Sequence, residues 1–162
     1  MKTTRLSMLA AGLVILVLAA MTGLAANPLP VTVNVPAATT VAVNDSFLVF
    51  DIAAFDVGPT AAKNISITAH TNKKTGYIVS VAGEDFAADG EGDASTFPLS
   101  TLQFYDDTMQ WRDMTTTSQA VHTGAKTGPG GDTFNLPVRL NLSGNEASGQ
   151  YTTSITVTIA SP

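Results

Sequence analysis

The sequence predicts an all-β sandwich of about eight or nine strands joined by Greek-key connections. Three observations predict it. Apolar residues recur at every second position in run after run, the period of a half-buried strand. Clusters of Gly, Pro, Asn and Asp separate these runs at roughly ten-residue intervals, and no run keeps a helical period. The chain beyond the first residues is rich in Thr, Ala, Gly and Val and poor in Lys, Glu and Leu, which favours pleated surfaces over helices.

The first stretch stands apart. MKTTRLSMLAAGLVILVLAAMTGLAA places Lys2 and Arg5 ahead of an apolar run from Met8 to Ala20, with the small residues Gly23 and Ala25 behind it. That is the layout of a secretory signal peptide, expected at 1–25, with cleavage after Ala25 or, as the alternative, after Ala26. The apolar run falls short of the ~20 residues that a membrane-spanning helix needs. Residues 26–162 are expected to form a single domain, secreted and with no membrane association once the signal peptide is gone.

The elements follow in order. PVTVNVP alternates Val31, Val33 and Val35 with Thr32 and Asn34, a strand-like segment immediately after the signal peptide. SFLVFDIAAF is apolar on both faces, with Leu48, Phe50 and Ile52 on one and Phe47, Val49 and Phe55 on the other, and reads as a central strand. NISITAH turns Ile65, Ile67 and Ala69 to one side, and GYIVSVAG does the same with Tyr77, Val79 and Val81. LSTLQFYD and MQWRDM read as a hairpin around Asp106 and Asp107. TFNLPVRLNL aligns Phe134, Leu136, Val138, Leu140 and Leu142; Pro137 within it has no amide hydrogen and marks an edge strand or a bulge. YTTSITVTI aligns Tyr151, Thr153, Ile155, Val157 and Ile159 as one terminal strand, expected to form a hairpin with the strand before it across SGNEASG.

Charge and composition exclude several functions. Without Lys2 and Arg5 the chain keeps six basic residues against thirteen acidic, a net charge near −7. Nucleic acid and anionic membrane surfaces require a basic patch, so neither is an expected partner. The absence of cysteine excludes disulfide, thiol and zinc-thiolate chemistry.

No catalytic motif emerges, and the expectation is a protein that is not an enzyme, with no cofactor and no metal. His70 and His122 have no carboxylate at ligand spacing in the sequence. The pairs Glu84–Asp85 and Asp106–Asp107 read as solvated turn residues. The acidic loop Asp85, Asp89, Glu91 and Asp93 offers hard oxygens but lacks the calcium-loop spacing, so no specific calcium site is expected. Trp111 has two readings. Between Gln110 and Arg112 in an alternating run it points into the core; on the surface it could stack on a sugar.

The order of features resembles the spore coat protein U and secreted pilin family. The likeness lies in FLVFDIAAFDVGPTAAKNISITAHTNKKTGYIVSVAGE, in LQFYDDTMQW before a Gly-rich loop, and most specifically in ASGQY followed by the Thr-alternating TSITVTI. The ending TSITVTIASP is also similar to the ends of WxL cell-wall-binding domains, although the W-x-L triplet is absent. The cysteine pair that many such pilins carry is also missing here. The resemblance implies an immunoglobulin-like (pilin-like) sandwich at the cell surface, a pilus or fibre subunit whose partners are other copies of itself or cell-envelope components. It implies that a neighbour's N-terminal strand, here Val31, Thr32, Val33, Asn34 and Val35 within a candidate donor segment 26–36, completes each subunit. Two arrangements stand at this point: residues 30–43 pair within their own domain, or the segment pairs with a neighbour. The alternative function is a non-catalytic module binding cell-wall polysaccharide through Trp111.

Overall fold

The β-branched and aromatic runs do become strands, and their alternation decides which way each strand faces. A computed structural model describes residues 32–90 and 92–162. Eleven strands occur among the described residues: β1 (Thr39–Val43), β2 (Gly58–Pro59), β3 (Lys63–Thr71), β4 (Tyr77–Gly83), β5 (Ala87–Asp89), β6 (Leu102–Tyr105), β7 (Trp111–Asp113), β8 (Gln119–Gly124), β9 (Asp132–Leu142), β10 (Gln150–Thr152) and β11 (Ile155–Ala160). The chain is all-β, with every strand pair antiparallel.

The first sheet runs β1-β3-β9-β6-β7, with β2 also beside β9; the second runs β11-β4-β8; β10 and β5 form a separate pair. Their apolar faces share one core, consistent with a β-sandwich. Ile65, Ile67 and Ala69 of β3 and Leu136, Val138 and Leu140 of β9 lie buried in one cluster with Tyr77, Val79 and Val81 of β4 and Val121 of β8. Burying large side chains from both sheets is the main stabilising term, at about 25 cal/mol per Å² of apolar surface removed from water. Pro36–Pro162 form one compact unit. Of the preceding unit, Met1–Val35, only Thr32–Val35 are described, and they belong to no strand. The expected signal peptide at 1–25 and Val31 of the expected assembly strand lie outside the described residues.

The period-2 readings of β3, β4 and β9 hold residue by residue, as does the β6–β7 hairpin, in which Tyr105 faces Trp111. Four readings are corrected. Pro137 lies in β9, a strand with neighbours on both sides; it is tolerated because the β6 ladder begins only at Val138, leaving Pro137 paired with β3 alone. The terminal strand is two strands, broken at Thr153 and Ser154, and neither half pairs with β9: β10 joins β5, and β11 joins β4. The SGNEASG link therefore carries the chain from β9 to the separate β10–β5 pair, and the second sheet is joined only after Ser154. Trp111 does not point into the core. It shares the outer face of the first sheet with Tyr105 and Arg139, because Phe104 and Val138 take the inner positions.

The fourth correction matters most. SFLVFDIAAF is no central strand: Ser46–Ile52 form no strand at all. Both ends of this strap are tied to the first sheet. Before it, the Asn44 amide donates to the Ser66 carbonyl of β3 at 2.9 Å; after it, Gly58 pairs with Leu142 of β9. Between these tethers the chain adds no strand to β11, which among the described residues pairs only with β4.

Candidate functional site

β11 is built from alternating Ile and Thr, and its burial alternates with them. Ile155, Val157 and Ile159 are half-buried, while Thr156 and Thr158 are exposed. One edge of β11 bonds to β4; among the described residues no strand pairs with the other. β1 approaches that edge without forming a ladder with it.

Beside β11 lies a groove of about 880 Å³, lined by apolar side chains and by the largely polar stretch Gly149–Ser154. Its floor is the inner face of the first sheet at Ile65, Val138, Leu140 and Leu102, and its far wall is Ile155 and Val157. An aromatic stack closes one end: Phe86 packs edge-on against Phe97, and Phe97 stacks on Tyr151, each at 4.7 Å between centroids. The Tyr151 hydroxyl donates to the Ala147 carbonyl at 2.7 Å, which holds the ring in place.

The strap Ser46–Ile52 lines the groove on one side, Phe47 and Val49 included. Leu48 and Phe50 turn inward against the core, while Phe47 and Val49 turn outward, 77% and 51% exposed. Among the described residues none from Ser46 to Ile52 takes part in a backbone–backbone hydrogen bond. The Val49 carbonyl accepts a bond from the Lys63 ammonium, which also sits over the Phe50 ring at 5.3 Å. The turn after the strap puts Phe55 in the left-handed region at φ 66, with its ring 88% exposed. That is an uncommon conformation for a bulky residue.

Of the expected assembly strand, Thr32, Val33, Asn34 and Val35 are described and all are exposed, Val33 at 78% and Val35 at 75%. The link to β1 is fixed by Asn72, whose side-chain amide donates to the Pro36 carbonyl at 2.7 Å while its oxygen accepts from the Ala38 amide at 2.8 Å. Residues 30–43 therefore divide: Thr39–Val43 pair with β3 of their own chain, and Thr32–Ala38 form no strand.

Trp111, the expected glycan contact, has one ring face occupied. The Arg139 guanidinium lies 3.9 Å from the ring centroid, and Tyr105 tilts against it at 5.2 Å. Gln103 steadies Arg139 by accepting from its Nε at 2.9 Å, and in turn donates to Asp113 at 2.7 Å.

A second constellation has no signal in the sequence. His122 sits between two carboxylates, with Nδ1 3.0 Å from Asp107 and Nε2 3.4 Å from Asp132. Its ring stacks on Phe134 at 4.0 Å. The Tyr77 hydroxyl donates to Asp132. Burial, then the bond to Asp132, pushes the Tyr77 hydroxyl above its ordinary range, and the same bond holds the Asp132 carboxyl below its own. Gly124 makes room for this: a Cβ there would lie 2.3 Å from the Tyr77 ring. The cluster ties β8 to the β6–β7 turn and to the start of β9, and each polar group in it has a partner within the cluster. Asp106, next to Asp107, is buried and bonds Thr108, Gln110 and Arg112; burial opposes its charge, yet these partners hold its carboxyl below the usual range. In the acidic loop Asp93 accepts from the Ser95 amide and hydroxyl at 2.9 and 2.7 Å, capping a short 3₁₀ turn.

Compared with models of protein families, the chain matches none, and no curated protein matches it either.

Proposed function

We propose that the chain is a secreted, non-catalytic structural protein of the cell surface, an immunoglobulin-like sandwich with Greek-key connections that assembles into a fibre by strand exchange. Residues 1–25 direct secretion and are removed. The segment Val31–Val35 of one copy then adds to β11 of the next, with its valines over the groove and its backbone along the open edge. Main-chain bonds supply affinity in this mode, and pockets for alternate side chains supply specificity.

One observation carries the reading. The same chain has a groove beside a strand, β11, that among the described residues pairs on one edge only, and an alternating segment whose described residues, Thr32–Val35, are exposed and outside any strand. Each supplies what the other lacks. The second reading, a polysaccharide-binding module centred on Trp111, has less support, because Arg139 covers one ring face. Sedimentation over a range of concentrations, with electron microscopy of the secreted protein, tests the proposal. Fibres or a concentration-dependent series of oligomers are expected. A monomer at every concentration would refute assembly, and glycan binding abolished by Trp111→Ala would favour the module.

A further inference from the structure

The outer face of the first sheet carries little charge for so acidic a chain. Its outward positions come from β1, β3, β9, β6 and β7. Among the described residues, Asp113 is the one Asp or Glu at such a position and Arg139 the one Arg or Lys. The chain has thirteen acidic residues, so this face is nearly cleared of them. Across β3 and β9 it presents amides and a hydroxyl instead, at Asn64, Ser66, Asn135 and Asn141. We infer that this face binds an acidic polysaccharide of the uronic-acid class, with the Arg139 guanidinium holding a sugar carboxylate. The inference goes beyond strand exchange, because a fibre subunit and a lone module can both carry it. It shares its place with the second reading, but moves the main contact from the Trp111 ring to Arg139 and narrows the ligand to an acidic one.

Arg139 is held in one orientation and left without a counter-charge. Its Nε donates to Gln103, and its guanidinium lies over the Trp111 ring. Gln103, only 9% exposed, stands between Arg139 and Asp113 in one cross-strand row and bonds both. The carboxylate that could neutralise the guanidinium is thereby kept one strand away. Arg112, by contrast, pairs directly with Asp106. Among the described residues, the terminal nitrogens of Arg139 have no hydrogen-bond partner and no carboxylate in contact. A guanidinium fixed through Nε, with both terminal nitrogens open, offers the parallel donors that a carboxylate accepts. Fixing the side chain beforehand lowers the entropy lost on binding.

The surroundings suit a sugar better than an acidic peptide. Tyr105 and Trp111, tilted against each other at 5.2 Å, lie beside Arg139 and give apolar surface for the C–H face of a pyranose. Asp113 is exposed; Gln103 takes one of its side-chain oxygens, and the other is left to accept from sugar hydroxyls. Asn135 and Asn141 stand on β9 on either side of Arg139, both exposed. They are ~20 Å apart at strand rise, so a chain of several rings can lie along β9 and meet all three.

Isothermal titration of the secreted protein with oligogalacturonate and with an alginate oligomer tests this. Two comparisons separate charge from sugar: methyl-esterified oligogalacturonate has the rings without the charge, and poly-glutamate has the charge without the rings. At least one uronate should bind ~10-fold or more tightly than either comparison, because the carboxylate accepts charge-assisted bonds that the ester cannot. Arg139→Lys keeps the charge but loses the fork, and should weaken binding about 10-fold. Arg139→Gln should weaken it further; Arg139→Lys serves alone if that variant does not fold. Lys73→Gln with Lys74→Gln, in the β3–β4 turn away from this face, should leave binding within ~2-fold. Failure of both uronates to bind would overturn the inference, as would unchanged affinity in the folded Arg139 variants. Equal binding of poly-glutamate, or loss of binding in the Lys73/Lys74 variant, would reduce it to unspecific charge attraction and also overturn it. Equal binding of the methyl ester would return the site to neutral stacking on Trp111, with the same result. Sedimentation of Arg139→Gln keeps the two questions apart: it should match wild type, so that loss of uronate binding leaves assembly standing, and a monomeric wild type that binds uronate leaves the inference standing without the fibre.

Discussion

Two isoleucines separate a closed core from an open wall. Ile67 is 0% exposed in the middle of β3, flanked by Val43 of β1 and Phe134 of β9; Ile155 is half-buried at the start of β11, facing the groove. The substitution Ile→Ala removes the same atoms at both. At Ile67 it leaves a void in a filled core, which costs about 2–5 kcal/mol. At Ile155 the side chain is only partly buried and borders a groove that can relax, so area bookkeeping gives about 1–2 kcal/mol. Urea unfolding of the monomer, followed by the near-ultraviolet signal of Trp111, should show a far larger drop in midpoint for Ile67→Ala at unchanged slope. If strand addition buries Ile155, the assembled form should lose stability with Ile155→Ala beyond the loss seen in the monomer, whereas Ile67→Ala should cost both forms equally. Equal costs in the monomer would mean that β11 is already covered, and the open-groove account would fall.

Other consequences follow from the His122 cluster. Gly124→Ala would force the new Cβ into the Tyr77 ring, and the resulting shift should cost about 1–3 kcal/mol; a chain with wild-type stability would show that the ring has room. Tyr77 makes stability pH-dependent at the alkaline end. Its folded pKa is raised above the ordinary 10.0, so its contribution is complete below pH 10.0 and is lost as pH climbs toward the folded value. Tyr77→Phe should flatten the urea midpoint above pH 10.0, and an unchanged alkaline slope would exclude this residue as the cause. Asp132 acts in the opposite sense: its lowered pKa stabilises the fold above the ordinary 3.8, an effect lost as pH falls. Acid sensitivity should therefore shrink in the same Tyr77→Phe variant, which removes the bond that lowers it.

Strands with one buried face were legible in the sequence because alternation is a local property. β3, β4 and β9 read correctly from Ile65–Ala69, Tyr77–Val81 and Phe134–Leu142. Where the run could not say which neighbour it met, the reading failed. Phe47–Ile52 is apolar on both faces, and this pattern suits a central strand as well as a strap with one face on the core and the other outside; only the tethers at Asn44 and Gly58 decide. The pairing of β11 with β4 was hidden because loop length permits a hairpin without requiring one, and β10 leaves the line of β11 at Thr153 to pair with β5. Trp111 was misplaced because its neighbours in the sequence are polar on both sides, and the register with Tyr105 sets its face. The His122 cluster joins residues 15 and 10 apart in sequence on three elements, a proximity that only the sheet order creates. The alternation of Val31–Val35 is plain in the sequence, and the proposed role for it rests on the edge of β11.

Because the chain has no cysteine, that pairing can be read by one covalent link. Asn34 would face outward between Val33 and Val35 of an inserted strand, and Thr156 and Thr158 face outward on β11. Across an antiparallel pair, cross-strand Cα atoms lie ~4.5–5.5 Å apart, within disulfide range. Copies carrying Asn34→Cys, mixed under oxidising conditions with copies carrying Thr156→Cys or Thr158→Cys, should form a disulfide-linked pair between the two kinds of chain at one of these β11 positions, and should not form it when the inserting chain also carries Val33→Asp. A chain bearing both cysteines that closes on itself as a monomer, or mixtures that never link while polymers still form, would contradict strand exchange between copies.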